Sequence, residues 1–158
     1  MNTQLPVLEY LKKSLDGTLS THETTHMNYP TAISQTLKLR IVEVGFGTAK
    51  VAIDATPPLH GNQQGTIHGG LLCELADAAI GTAHSTLMQE DETFASIDLK
   101  INFFRPSWDA VLTASARPIQ SGNTLTHYEC DITREDGKVI AHVISAVMTL
   151  RGERAKGR

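Results

Sequence analysis

The stretch LLCELADAAIGTA, residues 71 to 83, is apolar almost all the way round a helical wheel. A helix of that kind is covered on every side. It falls short of the roughly 20 apolar residues that span a bilayer, so the cover has to come from the rest of the chain. The remainder of the 158 residues must form a shell around one buried helix. The composition permits this, since 41% hydrophobic and 20% charged residues describe one globular domain large enough to hold a core. Two carboxylates, Glu74 and Asp77, interrupt the run. Glu74 is assigned to an exposed or interfacial edge and Asp77 to the interior, on neighbouring faces three residues apart.

The shell reads as strands. Upstream, LKLRIVEVGFGTAKVAID is two β-branched segments around a Gly-Phe-Gly turn, an antiparallel hairpin. The loop TPPLHGNQQGTIHGG then leads into the helix. Downstream, TFASIDLKINFFRP alternates, placing Ala95, Ile97, Leu99, Ile101 and Phe103 on the core face and Ser96, Asp98, Lys100 and Asn102 on the other. Three more segments follow, AVLTASARP, TLTHYECDIT and KVIAHVISAVMTL, divided by turns at Ser121-Gly122-Asn123 and Glu135-Asp136-Gly137. Hairpin, helix and meander in that order predict an α+β fold, with an antiparallel sheet of five to six strands wrapping one long central helix.

That domain is set at residues 33–150. Ahead of it, Leu5, Leu8, Leu11 and Leu15 recur at helical spacing, with Lys12 and Lys13 near the end where the helix dipole favours cations. An extra N-terminal helix and a polar linker are expected over residues 1–32, and a frayed tail over 151–158. The linker holds His22, Glu23 and His26 in the HExxH spacing of a zinc site. Gly17, Ser20, Asn28 and Pro30 around it, and the lack of apolar periodicity, argue against the helix such a site needs, so no metal is expected. A net charge of −3 supplies no basic field for nucleic acid or an anionic membrane. Cys73 and Cys130 lack CxxC spacing and read as free thiols. With no basic n-region in MNTQLPVLEYLKK, the expected location is the cytoplasm.

The run GNQQGTIHGGLLCELADAAIGTA followed by SIDLKINFFRP resembles the hotdog-fold acyl-CoA thioesterases of the phenylacetate-degradation (PaaI-like) family. The resemblance implies hydrolysis of an acyl-CoA thioester to free acid and coenzyme A, with no cofactor beyond the substrate. It also implies sites between subunits of a homodimer, assembled as a dimer of dimers. By position, Asn62, His68, Gly69, Asp77 and Ser96 match the family's site residues. Asn62 would hold the carbonyl or the water, His68 would orient the helix start, and Ser96 would position Asp77. Where some relatives carry a hydroxyl four residues after the carboxylate, this chain has Gly81.

The chemistry asks for little more. The leaving thiolate has a parent pKa near about 8.5 and departs without a strong acid. The oxyanion needs donors, which the N–H groups at a helix start supply, and Gly69-Gly70 stand there. A carboxylate serves as base or nucleophile, and Asp77 is the candidate. Gly69 and Asp77 lie roughly 12 Å apart along one helix, too far to act on one carbonyl, so the two are expected to meet across a two-fold axis. Arg105, Arg117 and the Ser121-Gly122-Asn123 turn are candidates for the coenzyme A phosphates, with Gly70 beside the carbonyl. Plainer roles remain open: Asp77 snorkelling from a surface stripe, His68 as a loop residue, Ser96 as an ordinary strand serine, Asn62 as turn chemistry. A hotdog hydroxyacyl dehydratase and a non-catalytic acyl-CoA-binding protein are the alternative functions.

Overall fold

In the computed structural model, which describes residues 2–157, the elements run β1 (Thr3–Gln4), α1 (Val7–Asp16), β2 (Glu23–Thr24), α2 (Ala32–Leu37), β3 (Arg40–Gly45), β4 (Thr48–Ala55), α3 (Pro57–His60), α4 (Gly69–Ser85), β5 (Thr93–Ser96), β6 (Lys100–Phe103), β7 (Ala110–Ser121), β8 (Leu125–Arg134) and β9 (Val139–Leu150). The main sheet is antiparallel in the order β3-β4-β7-β8-β9, with β5 and β6 both pairing β9 at the far edge. Those two segments share one position, so six strand positions curl around α4. This is the hotdog arrangement.

The curl closes on the helix because the facing side chains are small or branched. Val51, Ile53, Leu112, Ala114, Val143 and Val147 point inward from the sheet and meet Leu75, Ala76, Ala79, Ile80 and Ala83 of α4, all buried. Alanine on the helix lets the concave sheet approach its backbone, and the branched side chains fill the space that remains. The hairpin tip is tied to the other end of the helix, where Gly47 N–H, at φ 76°, donates to Thr86 Oγ1 at 2.8 Å.

Three expectations need correction. The helix is not covered all round: Cys73, Glu74, Asp77, Ala78 and Gly81 form a half-exposed stripe, because the sheet curls around α4 without closing. The edge strand does not alternate cleanly either. Ser96 pairs with Val147 but Lys100 pairs with Ile144, so four residues on one side span three on the other. This β-bulge reverses the facing upstream of it. Phe94 and Ser96, rather than Ala95 and Ile97, share the inner face with Leu99 and Ile101; Ile97 is 54% exposed. Finally, the N-terminal linker is structured, with β1 pairing β2 in parallel and α2 following, and the tail carries a 3-10 turn at Gly152–Ala155 after Arg151 binds Glu92 and the Asn123 carbonyl.

His84 anchors the last turn of α4 with no exposed surface. Its Nδ1 meets the Tyr128 hydroxyl and its Nε2 the Thr149 hydroxyl, both at 3.0 Å. Burial lowers its pKa from 6.5 to about 4, so it is neutral in the folded protein. A histidine whose pKa is depressed by folding contributes stability that is full above its unfolded value and lost as pH falls. The denaturant midpoint of the native chain is therefore expected to drop between pH 6.5 and about 4 more steeply than that of His84→Gln, which does not titrate. Parallel pH profiles, measured by urea titration, would contradict this.

Candidate active site

Two clefts flank α4, and the proposed site residues divide between them. The larger, of about 980 Å³, runs along the half-exposed stripe and is lined by Glu74, Asp77, Ala78 and Gly81 of the helix, Phe94 of β5, and residues of the N-terminal arm. The smaller, of about 410 Å³, lies at the start of α4 and includes Asn62, Gly69, Phe103, Arg105 and Ser107.

Asp77 sits on the stripe with its Oδ1 accepting a 3.3 Å hydrogen bond from Ser96 Oγ. Burial pushes its pKa above the ordinary aspartate value, and the Ser96 hydroxyl partly offsets that. Glu74, one turn earlier, is also raised, first by burial and then by the charge of Asp77. Ser96 reaches the helix only because of the bulge, and the bulge is clamped from β9. Ala146 N–H donates to Asp98 Oδ1 at 2.8 Å, Ser145 Oγ donates to the Asp98 carbonyl at 2.6 Å, and Ile97 N–H donates to the Ala146 carbonyl at 2.8 Å. Asp98 thus aims Ser96, and alternation alone had placed it on the outer face with nothing to do.

At the other cleft, His68 caps α4. Its Nδ1 accepts from Gly70 N–H at 2.8 Å and its carbonyl from Leu71 N–H at 3.0 Å. These bonds occupy the Gly70 donor, whereas Gly69 N–H makes no hydrogen bond among the described residues. A Cβ at Gly69 would lie 2.8 Å from the tip of the half-exposed Phe103 ring, which would have to turn aside, and glycine leaves the helix start open to close approach. Asn62 organises the loop: its Oδ1 accepts from Gln64 and Thr66 N–H and its Nδ2 donates to Thr66 Oγ1. The turn chemistry considered for it accounts for these bonds, and one amide hydrogen is left for a ligand. Ser107, buried at 3% exposure with no partner for its hydroxyl, lines the same cleft and carried no signal in the sequence.

The phosphate candidates separate as well. Arg105 lines the smaller cleft and donates to the Val139 carbonyl at 2.6 Å. Arg117 is held by Glu129 and Asp131 on the outer sheet face, and Ser121, Gly122 and Asn123 form the β7–β8 turn; none of these four lines either cleft. The only histidine–carboxylate contact among the described residues, His142 with Asp131 at 2.7 Å, is also away from both clefts. In the HExxH segment, Glu23 and Thr24 are strand, and Glu23 is bound to Lys13 and Ser20 N–H.

A long helix wrapped by a curled antiparallel sheet places the chain among the hotdog-fold thioesterases. Residues 64–141 match the family model of the thioesterase superfamily. A 1,4-dihydroxy-2-naphthoyl-CoA hydrolase of Listeria monocytogenes is 30% identical over 110 residues, 68% of this chain and 87% of that one. A medium/long-chain acyl-CoA thioesterase of Salmonella typhimurium is 26% identical over 78% of this chain and 86% of its own. The Escherichia coli PaaI protein from the phenylacetic acid degradation operon superposes with a TM-score of 0.71 at 25% identity, covering 78% of this chain and 87% of that one. The chain belongs to the thioesterase superfamily and is a PaaI-like thioester hydrolase.

If Asp98 positions Ser96, Asp98→Ala lowers turnover roughly 10- to 100-fold. It also shifts the acid limb of the pH–rate profile upward, because the Ser96 hydrogen bond that lowers the Asp77 pKa is released. Asp98→Asn keeps the Oδ1 acceptor for Ala146 N–H and should restore most activity. An alanine variant with an unmoved pH profile would assign Asp98 a purely structural role.

Proposed function

We propose that the chain hydrolyses acyl-CoA thioesters at a site completed by a second copy of itself. The observation that carries this reading is the division just described: Asp77 with Ser96 in one cleft, Gly69 N–H with Asn62 and Arg105 in the other. Neither half acts on a thioester alone. Two α4 helices antiparallel across a two-fold axis bring Asp77 of one chain to the helix start of its partner, and the symmetry does so twice.

The edge formed by β5 and β6 supports the same pairing. It bonds only to β9 among the described residues, and Ile97, Phe103, Phe104 and Trp108 on or beside it are more than half exposed. An open edge with an apolar border is what a second copy would cover. A dimer of dimers would then bury further surface, and a reducing cytoplasm suits the two free thiols, Cys73 and Cys130.

In this reading the carbonyl oxygen lies on Gly69 N–H, where the positive end of α4 stabilises the oxyanion. His68 holds that turn in place. Asp77 is general base to a water or nucleophile on the acyl carbon, both roles needing the ionised carboxylate, and Arg105 faces the coenzyme A phosphates.

Asp77→Asn is expected to keep the fold and lower kcat by roughly 100-fold or more in a thiol-release assay over aryl and fatty acyl-CoA esters. It should also be more stable at neutral pH. A carboxyl whose pKa is raised by folding favours the folded state below its unfolded pKa, and that advantage is lost as pH rises through the folded value. The asparagine variant should therefore gain roughly 1–3 °C in Tm at pH 7 and nothing near pH 3. Undiminished turnover in Asp77→Asn would overturn the assignment.

A further inference from the structure

Building on the thioesterase reading, we propose that the N-terminal arm, residues 5–34, and the exposed stripe of α4 together form an own-chain site for the hydrocarbon part of the substrate. The preferred acyl group is then an aliphatic chain of medium length. The cleft between them, about 980 Å³, is at the upper end of the roughly 300–1,000 Å³ typical of small-molecule sites. Asp77 lies in its wall, so a thioester carbonyl at Asp77 has this space directly beside it.

The wall is apolar where the acyl chain would lie and uncovered by protein. Leu15 and Ile33 of the arm are 43% and 46% exposed, and with Met27 they face Ile41, Phe94 and Gly81 across the cleft. The arm is held in place: the Tyr29 hydroxyl meets Ser85 Oγ at 2.6 Å, Lys13 pairs with Glu23, and β1 bonds to β2.

Length and direction follow from the helix. Asp77 and Thr82 both line the cleft, and five residues of helix span roughly 7.5 Å. An extended zigzag alkyl chain with C–C bonds of about 1.5 Å covers that length with about seven carbons. Beyond the C-terminal end of α4 the lining becomes charged, with Glu90, Asp91 and Lys156 and with Glu92 paired to Arg151, which limits how far an uncharged hydrocarbon chain extends. The floor stays open because residue 81 is glycine. A Cβ there would lie 3.8 Å from the Phe94 ring, an ordinary contact, so a larger side chain fits the helix and fills the cleft.

The test uses the full chain and two variants at positions outside the catalytic machinery, Gly81→Leu from the helix side and Ile33→Asp from the arm side. For the native protein kcat/KM is expected to rise roughly fourfold per methylene up to about seven carbons and then level off. Both variants should lose at least roughly tenfold on decanoyl-CoA and stay within about twofold on acetyl-CoA. A length profile unchanged in both variants, or depressed equally at all lengths, would overturn the proposal. Calorimetry with S-decyl-CoA and S-methyl-CoA, thioethers that do not hydrolyse, separates this from the hydrolase reading. If no ester is turned over but S-decyl-CoA binds at least tenfold tighter than S-methyl-CoA, and both variants lose that preference, the cleft stands and the hydrolase reading falls. Equal binding of the two thioethers to the native protein removes the cleft.

Discussion

The fold depends on an apolar helix that one sheet wraps incompletely. Burial of Leu75, Ala76, Ala79, Ile80 and Ala83 against the concave sheet supplies the core, and nothing in the chain can satisfy those residues otherwise. The sheet stops short of closure, and the stripe it leaves is where Asp77 stands. A carboxylate on the covered faces would carry a prohibitive desolvation penalty; on the stripe it keeps partial access to water and remains ionisable with a raised pKa. A buried neutral histidine, His84, secures the far end of the helix, so the stripe sits on a rigid rod.

A second constraint acts through one inserted residue. Without the bulge between Ser96 and Lys100, the edge strand would keep strict alternation and Ser96 would face away from α4. Asp98 and Ser145 fix the insertion, so a backbone irregularity at the sheet edge holds the hydroxyl that partly offsets the burial-raised pKa of a carboxylate on the helix. The geometry of the site thus belongs as much to β9 as to the helix that carries Asp77.

Much of this was legible in the residues. The hairpin, central helix and three-strand meander followed from periodicity and turn chemistry, and the separation of Gly69 from Asp77 followed from helical rise alone. What stayed hidden has physical causes. Cys73, Ala78 and Gly81 are small and apolar, so pattern cannot tell a core face from the floor of a cleft. The bulge leaves the alternating string unchanged in appearance, because alternation looks the same before and after a one-residue shift. The linker after α1 lacks periodicity and is ordered by distant contacts such as Tyr29 with Ser85, which no local reading contains. Arg117 was a plausible phosphate ligand by type, yet its neighbours across the sheet, Glu129 and Asp131, had already claimed it.

The central claim is that each site draws its carboxylate and its oxyanion donor from different chains. Asp77→Asn and Asn62→Ala, each inactive alone, can be unfolded together and refolded. In a mixed dimer one site then carries both lesions and the other carries neither. Random pairing makes about half the dimers mixed, so roughly a quarter of native activity should return. Mixed dimers confirmed by mass spectrometry but lacking activity would mean that Asp77 serves its own chain, and the shared site would be wrong.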